Sequence, residues 1–132
     1  MERIKKFKFQ DREYSIEFPN VGQYMEIESN KLDYSNNKYS SFITSRTFSA
    51  LRAVQIVECV SILSVLCPNL FKDMKVENYS EIDAKDFVEL IKIYQKEISP
   101  WYSKWFNEFN KVFEDINKED KKLKEEEKEV EK

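Results

Sequence analysis

The sequence contains no histidine and a single glycine in 132 residues. The missing histidine excludes Ser-His-Asp and Cys-His catalysis and every imidazole metal ligand. One glycine is too few for a phosphate-binding loop, a dinucleotide fingerprint or a Gly-x-Ser-x-Gly elbow, which each need two or more. An excess of one charge is also missing: 22 lysines and arginines face 25 acids, for a net charge of -3. That balance argues against nucleic-acid binding through bulk positive charge. The only cysteines, Cys59 and Cys67, are eight residues apart in or at the end of an apolar helical run. On a continuous helix they are about 12 Å apart, beyond disulfide reach. Two reduced, buried thiols and a reducing, cytoplasmic setting are therefore expected. The charged N-terminal residues have no apolar run behind them, so no signal peptide is expected. The longest apolar stretch, residues 48–66, carries Arg52, Gln55 and Glu58, which reads as a core helix and not a membrane span.

What the chain does have is 41% apolar and 14% aromatic residues, enough for a packed core. Residues 4–18 alternate with period two: Phe7 and Phe9 against lysines, then Tyr14, Ile16 and Phe18 against Ser and Glu. The pattern predicts a β-hairpin with one aromatic face that helices, or another subunit's strands, must cover. Residues 21–32 read as a helix capped by Asn20, with Val21, Tyr24, Met25, Glu28 and Leu32 at helical spacing. A loop over 33–38 and a short helix from Tyr39 follow. Residues 48–66 form the densest apolar helix, capped by Thr47. Their polar residues fall every third position and circle the helix, so contact is expected on most sides, either within the core or shared with a subunit interface. Residues 69–82 read as a connection, and Asp83 as the cap of a helix over 84–98. Ser99-Pro100 reads as a fresh helix start, with a helix over 100–116. Residues 118–132 are rich in lysine and acid, with Leu123 and Val130 the only apolar side chains, and predict a solvated helix or disordered tail. The expected fold is α+β and helix-dominated. A domain over 1–117 (hairpin 4–18, helical part 20–116) holds four or five helices and precedes a charged tail over 118–132.

The helix over 100–116 carries Trp101, Tyr102, Trp105, Phe106, Phe109, Val112, Phe113 and Ile116, an apolar band wider than one core-facing stripe needs. Trp101, Tyr102, Trp105, Phe106, Phe109 and Phe113, together with Phe7 and Phe9 of the hairpin, are the candidate partner-binding residues. The acidic pairs Glu26/Glu28, Glu81/Asp83 and Asp83/Asp86 lie in polar surroundings and read as surface charge. Glu58, in the apolar helix, calls for a cationic partner such as Lys72, Lys92 or a second subunit's Arg52. No catalytic, cofactor-binding or metal-ligating residues are expected, and the chain reads as no enzyme.

The hairpin Phe7-Lys-Phe9-Gln-Asp-Arg-Glu-Tyr14-Ser-Ile16-Glu-Phe18-Pro19, followed by a small helical part and a charged tail, resembles the tail assembly chaperones of long-tailed bacteriophages. The resemblance lies in the order of parts and in the hairpin. It implies a non-enzymatic assembly chaperone or scaffold in the host cytoplasm that binds a tape-measure-like client protein. The alternative is a permanent structural subunit of a virion or other assembly. The partner is another protein, with homo-oligomerisation left open and neither nucleic acid nor membrane expected.

Overall fold

A two-residue turn sets the first element. In the computed structural model, β1 (Ile4–Phe9) pairs antiparallel with β2 (Arg12–Glu17), with Phe7 opposite Tyr14 and Phe9 opposite Arg12. Gln10 and Asp11 both take positive φ, 50° and 64°. This is the type I′ geometry whose twist matches the strands, reached here without glycine. Asp11→Gly is expected to stabilise the fold by about 0.5–1 kcal/mol, read as a higher thermal midpoint. The pleat sends Phe7, Phe9, Tyr14 and Ile16 to one buried face, and the Phe7 and Tyr14 rings stack at 5.5 Å. Phe7 and Phe9, expected among the partner-contacting residues, are thus core residues: a lone hairpin cannot keep such a face in water, and this chain's own helices cover it.

The structure describes residues 3–130 and divides the chain into two units, Met1–Ile98 and Ser99–Lys132. The first unit follows the hairpin with α1 (Val21–Tyr34), α2 (Tyr39–Ser45), α3 (Phe48–Leu66), α4 (Pro68–Asp73) and α5 (Ala84–Ile93). α1 and α2 both pack on α3, and α5 packs on β1. Asn20 caps α1 by accepting from the Gln23 amide at 2.8 Å, while the Gln23 side chain accepts from the Asn20 amide at 3.1 Å. Thr47 caps α3 by accepting from the Ala50 amide. Asp83 occupies the N-cap of α5 but makes no side-chain bond there. The stretch read as a connection over 69–82 contains α4, which starts at Pro68 directly after Pro68 has stopped α3, and a short 3-10 turn over Tyr79–Glu81. Leu70 anchors this stretch in the core.

α1 is rotated from its expected orientation. It buries Ile27 and Lys31 and exposes Val21, Met25 and Leu32. A buried lysine hides in a hydropathy pattern, but this one is neutralised: its ammonium pairs with Glu28 at 3.0 Å and lies 5.5 Å from the centre of the Tyr39 ring. α3 is enclosed on most sides only in its second half, where Val57, Cys59, Val60, Ser61, Ile62 and Leu63 are all buried. Its first half buries only Ala50 and leaves Phe48, Leu51 and Ile56 exposed. α3 is the one helix among the described residues long and apolar enough to cross a membrane. Within the first unit it is the helix on which its neighbours pack.

Candidate partner-binding surface

The second unit is one helix, α6 (Ser99–Val130). The expected restart at Ser99-Pro100 appears as a π-helical turn over Tyr94–Ile98, just before α6. Pro100 has no N–H for the carbonyl four residues back, and its ring crowds that carbonyl, so the ladder widens there. α6 does not stop near residue 116. The Glu/Lys-rich stretch, expected as a solvated helix or a disordered tail, continues the helix to Val130, with every described side chain from Lys118 onward exposed.

Burial along α6 follows a gradient. Trp101 and Tyr102 are buried, which removes them from any free surface, and Trp105 and Phe106 are half-buried. From the next turn the same band is open: Phe109 is 41% exposed, Val112 58%, Phe113 52% and Ile116 47%, with Leu123 beyond them. Rings four apart support one another along the helix. Tyr102 and Phe106 stack at 6.3 Å, and Phe109 and Phe113 meet edge-to-face at 5.1 Å. At 100° per residue, Phe109, Val112, Phe113, Ile116 and Leu123 fall within one arc of about 100°. Covering these half-exposed side chains is worth on order 1 kcal/mol each. Phe109 and Phe113 are among the expected site residues, whereas Leu123 falls in the stretch expected to be a charged tail. Continuing the helical wheel past residue 117 would have joined Leu123 to the stripe.

Several titratable groups of the first unit are tied into structure. Tyr14 donates to Asp73 Oδ2 at 2.8 Å, and Arg12 pairs with Asp73 Oδ1 at 3.0 Å. These contacts, the tyrosine hydroxyl first, hold the Asp73 carboxyl below the ordinary carboxylate range, while burial and then Asp73 push Tyr14 up to about 12. A carboxylate whose pKa falls on folding stabilises fully above its unfolded value, near 3.8, and loses that contribution as pH falls through the lowered value. Asp73→Asn is therefore expected to lower stability at neutral pH and to flatten the acid limb of the stability–pH curve below about pH 5, as measured by denaturant midpoints.

Among the described residues Glu58 meets no cation. Its carboxylate accepts from the Tyr39 hydroxyl at 2.6 Å, because α2 lays Tyr39 against α3, and burial with this bond raises the tyrosine pKa. Lys72, Lys92 and Arg52 are not its partners within the chain. Cys59 and Cys67 are free, buried thiols, and burial pushes Cys59 up to about 12, so it carries no thiolate at neutral pH. Ser61 Oγ is buried without a hydrogen-bond partner among the described residues. Of the acidic pairs weighed for chemistry, Glu28 bonds Lys31, Asp86 accepts from Gln10, and Glu81 accepts from the Glu77 amide. Among the described residues no three His, Cys, Asp or Glu side chains gather where they could hold a metal ion. A cleft of about 530 Å³ in the first unit is lined by Tyr34, Ser64, Phe71, Lys72, Val76 and Tyr79, among others. The Tyr34 and Tyr79 rings stand 4.6 Å apart in its wall. At the hairpin, Arg3 faces Glu17 at 3.6 Å across exposed surface.

No family model matches the chain, and no curated protein or solved structure matches it.

Proposed function

We propose that this chain is a non-enzymatic protein-binding module, an assembly chaperone or scaffold of the kind that escorts a client such as a phage tape-measure protein. The observation that carries the reading is the open band Phe109-Val112-Phe113-Ile116 on α6. A contiguous apolar stripe of this kind, bordered by charge, marks a surface that another polypeptide covers. The tied-up carboxylates and the buried thiols point the same way, because none is poised for proton transfer or nucleophilic attack.

Co-expression of the full chain with the products of its neighbouring genes tests the reading. A client should co-purify with the wild-type chain and be lost when Val112 and Ile116 are both glutamate. An escort should also be missing from the finished assembly when its proteins are identified by mass spectrometry. Capture unaffected by the double substitution contradicts the reading.

A further inference from the structure

The near-neutral composition hides a charge pattern on α6. Taking the centre of the exposed stripe as an axis and 100° per residue, Glu108, Glu119, Asp120, Glu126 and Glu127 lie within about 90° of it, and Lys124 is the only lysine there. The opposite half carries Lys104, Lys111, Lys118, Lys121, Lys122 and Lys128, with Glu114, Asp115 and Glu125 among them. All these charged side chains are exposed. Asp120 and Glu127 lie within about 30° of the axis, about two and about four turns beyond Phe113. One face of α6 therefore reads, along its length, as an aromatic-aliphatic section over 109–116 followed by an acidic section over 119–127 around Leu123.

We infer that the occupant of this face is a basic amphipathic helix of another protein, with an apolar stripe that meets Phe109, Val112, Phe113 and Ile116 and with lysines or arginines that meet Glu119, Asp120, Glu126 and Glu127. The inference rests on the partner-binding reading above and supplies the chemistry of the partner. Charge complementarity decides between occupants. A second copy laid parallel sets these four carboxylates against their own counterparts. Laid antiparallel, it sets Asp120 and Glu127 on the aromatic section of the other copy. Lys124 reaches only the rim of the face, so neither arrangement sets a cation against Asp120 and Glu127 near its centre, and like charges brought together at an interface cost several kcal/mol. Anionic surfaces such as phosphate backbones or acidic headgroups are repelled for the same reason. A basic helix satisfies both sections at once, and its attraction weakens as salt shortens the screening length.

The probes are two synthetic helical peptides of about 20 residues, matched to the length of the face. Both carry leucines at i, i+3, i+4 and i+7. One has lysines flanking that stripe, and its twin has glutamates there. Binding to the full chain is read by fluorescence anisotropy in about 50 mM and about 500 mM salt. The basic peptide should bind about tenfold or more tighter than its twin in low salt, with the gap closing in high salt. The variant Glu119→Lys, Asp120→Lys, Glu126→Lys, Glu127→Lys should invert the preference, and V112E/I116E should abolish both bindings. All six positions are exposed, so each variant should keep its helix, as checked by circular dichroism. Equal binding of the twins in low salt overturns the proposal while leaving α6 a docking helix. Binding of neither peptide overturns it as well. A chain that sediments as a dimer, and becomes monomeric in V112E/I116E, overturns it in favour of a second copy. Failure of the partner-binding reading itself is a separate result: client capture in co-expression that V112E/I116E leaves intact.

Discussion

The V112E/I116E double variant is expected to lose client capture by at least about 100-fold while its thermal midpoint stays within about 2 °C of wild type. Both side chains are about half exposed on a helix that forms a unit of its own. Substitution there removes nothing from the core of the first unit, and glutamate is a good helix former. The effect at the interface is large because two apolar contacts are lost and two charges must be desolvated against an apolar stripe, each at a cost of a few kcal/mol. Conservative truncation to alanine should give a smaller loss in the same direction, since only the buried area is removed. Co-purification yields and thermal melts of the same preparations separate the two effects. A parallel fall in midpoint and capture would make these residues structural.

Leu63→Ala is expected to show the reverse pattern: a loss of about 3–4 kcal/mol in stability, read from denaturant unfolding. Leu63 is fully buried in the half of α3 that is enclosed on most sides. α1, α2 and α4 all pack on this helix, so the void left by truncation cannot fully close, and the cavity term adds to the transfer term. A substitution of the same size at Leu51, in the exposed first half of α3, should cost well under 1 kcal/mol. The contrast between Leu63 and Leu51 tests the uneven burial of this helix, which composition alone cannot reveal.

Much of the fold is legible in the residues. The hairpin follows from period-two alternation on both sides of the polar stretch Gln10-Asp11-Arg12-Glu13, although the turn takes only Gln10 and Asp11 and β2 begins at Arg12. Asn20 and Thr47 cap the helices they precede, and α3 ends where Pro68 forbids its continuation. What is not legible has physical causes. The buried face of α1 includes Lys31, whose charge is compensated by Glu28 and Tyr39, and a hydropathy pattern cannot see compensation. The partner of Glu58 is a hydroxyl because Tyr39 arrives from α2, a tertiary placement that spacing within α3 does not encode. Phe7 and Phe9 look the same in sequence whether their cover is a helix of this chain or another molecule. The site was half legible: the excess aromatic width after Pro100 is visible, but the burial gradient along it is not. The acidic border emerges only once Lys118 to Lys128 are known to continue the same helix, because then Leu123, Asp120 and Glu127 acquire a common face with Phe113.

The central claim is that the outer part of α6, and no surface of the first unit, receives the partner. Hydrogen exchange on the full chain, alone and in the complex recovered by co-expression, tests it directly. Amides over 105–127 should exchange rapidly in the chain alone, as in an exposed single helix, and slow markedly in the complex, with residues 3–98 unchanged. Protection that appears instead at the 530 Å³ cleft or along the hairpin, with 105–127 still open, would contradict the claim.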